Sequence, residues 1–359
     1  MKIAIVCYPT FGGSGVVATE LGLALAERGH EVHFITYKQP VRLELLSKNI
    51  HFHEVLVPDY PLFHYPPYEL ALSSKLVDMV KLHRIEVLHV HYAIPHAYAG
   101  YMAKKMLLAD GISIPMVTTL HGTDITLVGN HPHYKPAVTF SINKSDVVTS
   151  VSQSLKDDTN RLFDITSEID VVPNFIDVEK YTNPFTDCQR DLMADKDEYI
   201  ITHISIQKEI PAILIMVGEG PEKEPAEALC RKLGIQDKVR FLGNSSEIDK
   251  ILCFSDLFLL PSEKESFGLA ALEAMASGVP VISSNTGGLA EVNEDGVSGY
   301  LSDVGNVAEM AENAIAILKS PEELTKFKNQ AKHAAKKFDT TRIVPMYEEV
   351  YKKAIAYVS

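Results

Sequence analysis

Two glutamates separated by seven residues, Glu265 and Glu273, carry the densest chemistry in the chain. They sit in the segment Pro261-Ser262-Glu263-Lys264-Glu265-Ser266-Phe267-Gly268-Leu269-Ala270-Ala271-Leu272-Glu273-Ala274-Met275-Ala276-Ser277-Gly278. An apolar strand ends at Leu260, and a helix is expected from near Phe267 to the terminating Gly278. Glu265 then precedes the helix and Glu273 lies inside it. A carboxylate within an apolar helix is costly to bury unless hydroxyl donors meet it. A ribose diol is one such partner; capping of neighbouring backbone is the alternative for Glu273 alone. A second candidate is Gly12-Gly13-Ser14-Gly15, between a strand from Lys2 to Tyr8 and a helix from Val16 to Arg28. Unhindered amides at a helix N-terminus favour an anion. Close strand-to-helix packing explains the glycines equally well, and the spacing is not the G-x-G-x-x-G dinucleotide fingerprint.

Twelve of the 14 histidines precede Asn174, and His89, His91 and His96 cluster at the end of one strand. His89 and His91 share a face by the two-residue period. His121, in Thr118-Thr119-Leu120-His121-Gly122-Thr123-Asp124, occupies a strand end where catalytic groups collect. A metal would want these imidazoles to converge with a carboxylate, yet only Asp124 lies at ligand spacing, so neutral hydrogen-bonding imidazoles are the favoured reading. Asp195-Lys196-Asp197 sits in a polar stretch and reads as a solvated face. The cysteines Cys7, Cys188, Cys230 and Cys253 form no C-x-x-C pair and are expected as reduced, mostly buried thiols.

Short apolar strands alternate with helices along the whole chain, which implies parallel, doubly wound sheets. At 359 residues the length favours two such domains. The expected division is residues 1–173, residues 174–338 after a hinge at Pro173-Asn174, and a terminal helix in 339–359 packing back on the first domain. In open parallel sheets, ligands bind beyond the carboxyl ends of the strands, where the candidates above all lie. The net charge of −13 opposes binding of nucleic acid or an anionic membrane surface by charge. No apolar run approaches the roughly 18 residues of a spanning helix, so a soluble, cytoplasmic protein is expected, with homo-oligomerisation open.

The pattern from Glu265 to Glu273 resembles the donor-site signature of glycosyltransferase family 4, retaining enzymes of the GT-B fold, in which two Rossmann-like α/β domains face a cleft. The resemblance covers nearly the whole chain. Gly12 to Gly15, Tyr65-Pro66-Pro67-Tyr68, His89 to His96, Thr118 to Asp124, Asn174-Phe175-Ile176-Asp177 and Ser262 to Leu269 resemble, more narrowly, the family member that moves N-acetylglucosamine from UDP-GlcNAc to L-malate, opening bacillithiol synthesis. The resemblance implies that Glu273 binds the ribose hydroxyls. It implies that Glu265, Ser266, Phe267, Gly268, Leu269 and Gly13 hold the sugar and diphosphate, with His121 and Glu265 as catalytic groups. Ser14, Arg42, Tyr92, Thr118 and Asn174 are the acceptor candidates. No metal or cofactor is expected. Another acceptor, lipid or small hydroxy compound, and UDP-GlcNAc epimerisation are the alternatives.

One stretch departs from the family's pattern. Tyr199 to Ser205 and Ala212 to Val217 both read as parallel strands, with only Ile206 to Pro211 between them. A parallel crossover normally takes a dozen or more residues. The family's diphosphate-neutralising arginine and lysine are also missing there, so a segment is expected to be absent near Ser205-Ile206.

Overall fold

The computed structural model describes residues 1–359 apart from 11–12, 44–46, 60–63, 183–189, 196–197, 203–210, 246 and 359. The chain separates into two compact units, Met1–Phe175 with Thr340–Ser359, and Ile176–Asp339. These divisions fall within two residues of those expected from the sequence.

The first unit is a seven-stranded sheet of β1 (Lys2–Val6), β2 (Glu31–Thr36), β3 (Ile50–Glu54), β4 (Val87–His91), β5 (Met116–Leu120), β6 (Val147–Ser150) and β7 (Ile169–Val171). Their order is β3-β2-β1-β4-β5-β6-β7, and the pairings are parallel. Chain order therefore reverses between β1 and β4, where an open α/β sheet makes a crevice. β4 and β5 are fully buried along their length, and β1 beyond Lys2, because helices cover both faces. Ala4, Val6, Ile35, Leu88 and Val90 pack on one face against α2 (Tyr68–His83) and α3 (Tyr98–Ala109). α1 (Ser14–Glu27) follows the first glycine turn, and its Gly22 is required for close packing: a Cβ there would lie 2.3 Å from the Phe34 ring.

The second unit has β8 (Tyr199–Thr202), β9 (Ala212–Val217), β10 (Val239–Gly243), β11 (Leu257–Leu260), β12 (Val281–Ser284) and β13 (Gly299–Ser302). The order β10-β9-β8-β11-β12-β13 repeats the same reversal, between β8 and β11. β8 and β9 do pair in parallel, Tyr199 opposite Ala212, although only residues 203–211 link them. Ser205 and Ile206 themselves lie outside the described residues, as do Lys196 and Asp197. β3 and β13 have no counterpart in the sequence reading; each is an edge strand, which needs less apolar patterning. Cys7 and Cys230 are free and buried, but Cys253 is disulfide-bonded, correcting the expectation of four reduced thiols. A bridge depends on spatial approach, which sequence spacing does not reveal.

The terminal helix Thr340–Val358 belongs to the first unit. Tyr347 and Tyr351 are fully buried, worth about 2–3 kcal/mol each by area, and the Tyr351 hydroxyl shares a 2.9 Å hydrogen bond with His89 Nδ1. Among the described residues no helix is long and apolar enough to cross a membrane. At the rim of this contact, Arg28 donates to both Glu348 oxygens at 2.9 and 2.7 Å, and His30 Nε2 lies 2.9 Å from Oε1. Arg28, then His30, hold the Glu348 carboxyl down to about 2. Its stabilisation is therefore complete above the ordinary value of 4.5 and is lost as pH falls toward about 2. Glu348→Gln is expected to lower unfolding free energy by up to about 1 kcal/mol at neutral pH, given solvent screening. Urea titrations should show this difference vanish on acidification; a difference that persists at pH about 2 would refute the linkage.

Candidate active site

At the β1/β4 reversal the first unit holds a cavity of about 670 Å³. Tyr8 enters it from the carboxyl end of β1, Tyr92 from the end of β4, and Tyr98, Tyr134, Glu69, Thr123 and Asp124 add to its polar lining. Tyr8, two residues past β1 and at the end of the strand read from the sequence, was recoverable from that position. Glu69, in the first turn of α2, and Tyr134 reach the cavity only through helix packing and carry no motif.

Asp124 organises the floor. Its carboxylate accepts from the amides of Ala93 at 2.8 Å, Gly122 at 3.1 Å and His121 at 3.3 Å, tying together the loops after β4 and β5. Burial nevertheless pushes its carboxyl up to about 6, the amides only partly offsetting desolvation.

Beside it runs a line of imidazoles. His89 Nε2 shares a 2.7 Å hydrogen bond with the Thr119 hydroxyl, and His91 Nδ1 shares one of 2.8 Å with His121 Nε2. The His96 Nδ1–H donates to the His91 carbonyl at 2.6 Å. Burial lowers His121 to about 3 and His96 to about 4, so both rings are neutral at physiological pH. His121 thus acts as a neutral hydrogen-bonding group, its ring tilted by 39° against that of Tyr92 with centroids 5.1 Å apart. His91 Nε2, His96 Nε2 and Asn174 Oδ1 are buried without a partner among the described residues.

Two acceptor candidates stand in a conformation that side chains avoid. Arg42 has φ 67° and Tyr92 φ 80°; the one other described non-glycine residue with positive φ, Arg84, ends α2. The Leu43 amide bonds the Pro40 carbonyl at 3.2 Å, so Arg42 takes the third position of a tight turn where glycine is favoured. Holding a larger residue there costs on the order of 1 kcal/mol and marks a functional candidate. Arg42 is exposed, with Glu20 at 3.7 Å. The Tyr92 hydroxyl shares a 2.5 Å hydrogen bond with Ser14 Oγ, at the start of α1, so these two predicted residues meet. Gly13, φ 59°, precedes them as the helix cap; Gly12 lies outside the described residues. Thr118 does not join this group. It is wholly buried, its hydroxyl bonded to Ser145 at 2.7 Å, because its side chain points to the sheet face opposite that of Thr119.

In the second unit, the helix expected from Phe267 begins at Leu269, with Gly268 at φ 97° as its cap. Glu265 folds back so that its Oε1 accepts from the Ser266 amide at 3.1 Å and, weakly, from that of Phe267 at 3.5 Å. A carboxylate therefore occupies amides at a helix N-terminus suited to an anion. Gly287 and Gly288 let a second loop pack on this one: the Gly288 amide donates to the Glu265 carbonyl at 3.0 Å, and Cβ atoms at 287 and 288 would lie 1.8 Å from the Glu265 oxygen and 2.4 Å from that of Ser266. Glu273, half-buried, accepts from the Tyr181 hydroxyl at 3.0 Å. Its expected hydroxyl donor is thus supplied by a tyrosine that sequence spacing did not suggest.

Residues 11–180 match the family Glycosyltransferase Family 4, and residues 198–334 match Glycosyl transferases group 1. The chain is 45% identical over 370 residues to N-acetyl-alpha-D-glucosaminyl L-malate synthase of Bacillus anthracis, covering 98% of this chain and 96% of that protein. This alignment is longer than the 359-residue chain, so the relative carries residues without a counterpart here. The 2-deoxystreptamine N-acetyl-D-glucosaminyltransferase of Niallia circulans is 27% identical over 272 residues, 66% of this chain and 68% of that one. Among solved structures, Anabaena HepE in complex with UDP-glucose superposes with TM-score 0.80 at 20% identity, covering 98% of this chain and 99% of that one, a likeness of fold.

The raised Asp124 carboxyl has a measurable consequence. Its protonated form favours the folded state fully below the ordinary value of 3.8, and that contribution is lost as pH rises through about 6. Buried neutral histidines act in the opposite sense, so the informative quantity is the difference between wild type and Asp124→Asn. Urea unfolding is expected to show the wild type losing about 2–3 kcal/mol relative to this variant across that window. A pH-independent difference would mean that Asp124 does not titrate there.

Proposed function

The chain belongs to glycosyltransferase family 4, and from that premise we propose that it transfers N-acetylglucosamine from UDP-GlcNAc to the hydroxyl of L-malate with retention of anomeric configuration. The observation that carries this reading is the 45% identity over 98% of the chain to the N-acetyl-alpha-D-glucosaminyl L-malate synthase of Bacillus anthracis. On this reading the protein acts in the cytoplasm, at the first step of bacillithiol synthesis, and needs neither metal nor cofactor.

The two substrates are assigned to different units. Glu273 takes the ribose hydroxyls in place of the Tyr181 hydroxyl it now accepts from. The diphosphate takes the Ser266 to Leu269 amides, which requires the Glu265 carboxylate to swing away from Ser266 and Phe267 and toward the sugar. Malate is a dianion, whereas the cavity carries Glu69 and Asp124 and, among the described residues, no basic side chain in its lining. Its carboxylates are therefore assigned to Ser14, at the start of α1, and to Arg42, with Tyr92, whose hydroxyl meets Ser14, and Asn174 as the further acceptor groups. In the reaction the bond from the anomeric carbon to the diphosphate oxygen breaks, and one to the malate hydroxyl oxygen forms on the same face. The malate proton passes to the departing diphosphate. Neutral His121 orients the sugar by hydrogen bonding, and fixed amide donors stabilise the leaving charge.

The acidic cavity lining favours a second reading, in which a neutral or cationic polyhydroxy compound is the acceptor. UDP release measured with L-malate, other hydroxy acids and aminocyclitols separates the two: selective turnover with malate supports the first, and turnover with aminocyclitols alone replaces it. A UDP-GlcNAc epimerase would act without any acceptor.

Glu273→Gln should weaken UDP affinity by about one to two decades, whereas His121→Ala should chiefly lower kcat. Wild-type values in both variants would remove these assignments. Arg42→Gly relieves the left-handed strain and should raise stability by up to about 1 kcal/mol while raising the KM for malate about tenfold or more. An unchanged KM would exclude Arg42 from the acceptor site.

A further inference from the structure

Four histidines the transferase chemistry does not use converge elsewhere in the first unit. Glu31 and His33 lie two apart on β2, and His51 and His53 two apart on β3, so each pair faces one side of its strand. Parallel pairing sets His33 opposite His51 and Ile35 opposite His53, which brings the pairs onto a common face. The last turn of α2 adds His83. The His33 ring centroid lies 4.6 Å from those of His51 and His83 and 5.2 Å from that of His53, and His53 lies 4.9 Å from His83.

We propose that His33, His53 and His83 form a binding site for one divalent transition-metal ion, such as Zn²⁺, separate from the transferase machinery. Their candidate ligand atoms lie within 4.8 Å of one another. His33 Nδ1 and His53 Nε2 face each other at 2.9 Å. Two nitrogens bound at about 2.0–2.1 Å in tetrahedral geometry stand ~3.3 Å apart, so the rings need separate by only a few tenths of an ångström. The third ring closes the face, and the fourth position is left to solvent.

The surroundings favour this use over a bare hydrogen-bonded stack. His33 Nε2 is 3.0 Å from Glu31 Oε1, a carboxylate–histidine pair that directs the opposite nitrogen's lone pair inward, as in histidine metal sites generally. His83, in the last turn of α2, benefits from the negative end of that helix. Burial lowers His33 and His53 to about 4, so both present neutral rings at physiological pH. Lys2, bonded to Glu31, and Lys75, near His53, are the opposing cations. Borderline nitrogen ligands suit Zn²⁺ or Co²⁺ rather than Mg²⁺ or Ca²⁺. α2 carries Glu69 of the cavity in its first turn and His83 in its last, some ~21 Å apart along the helix, so the ion would act on stability rather than on sugar transfer.

The test uses untagged full-length protein, stripped with chelator and titrated with Co²⁺ and then Zn²⁺. The expected result is one equivalent of Co²⁺ with the intense visible bands of tetrahedral coordination, its displacement by one equivalent of Zn²⁺, and a melting temperature that rises with Zn²⁺. Half-buried His53 and His83 allow the double variant His53→Ala/His83→Ala, which should lose all three signals while retaining wild-type UDP release. Glu31→Gln should weaken Zn²⁺ binding about 10–100-fold. Should the double variant not fold, His83→Gln alone replaces it. His131→Ala/His133→Ala, at an exposed pair elsewhere, should bind as wild type does. Wild-type protein that binds no stoichiometric Co²⁺, or binding that survives loss of His83, overturns the proposal.

Discussion

A single buried carboxylate holds the functional end of the first unit together. Parallel strands β4 and β5 stop side by side, and the chain beyond each leaves amides that no further ladder bonds. Asp124 accepts three of them, from Ala93, His121 and Gly122. Tyr92 and His121 are placed by the loops that it joins, and the cavity at the β1/β4 reversal takes its shape from those loops. Desolvation is the cost, visible in a carboxyl raised to about 6. No sheet hydrogen bond could do the same work, because the two loops diverge from the ladder at this point.

Around that carboxylate the side chains are stiff rather than charged. His89, His91, His96 and His121 are all held neutral by burial, and they pass hydrogen bonds among themselves and to Thr119 and Tyr351. The terminal helix, though last in sequence, thereby supports the wall of the site through His89. Arg42 and Tyr92 carry backbone strain within the same unit. Strain of this kind persists only where surrounding contacts over-determine the backbone; for Tyr92 those contacts are Ser14 and the rings of Tyr8 and His121.

The second unit solves its own problem differently. Its anion-receptive amides after β11 are met by Glu265 from the same loop, and a second loop bearing Gly287 and Gly288 presses against that one with no room for side chains. The glycines serve packing and the glutamate satisfies the amides.

Much of this was legible in the residues. Alternating strand and helix periods announce two doubly wound sheets, and the strand-end rule brings attention to His121 and Glu265 because side-chain type and position along one element are local properties. Glu273 within an apolar helix called for a hydroxyl donor for the same reason. What the sequence could not tell was which distant groups would meet. Tyr181 reaches Glu273, Ser145 removes Thr118 from the acceptor set, and Glu31 with His33, His51, His53 and His83 gathers from two strands and a helix end. The edge strands β3 and β13 and the Cys253 bridge also escaped notice, having little apolar pattern or none. Periodicity reports how a segment meets its nearest layer; strand order, register and helix packing decide which segments become neighbours, and those depend on the whole chain at once.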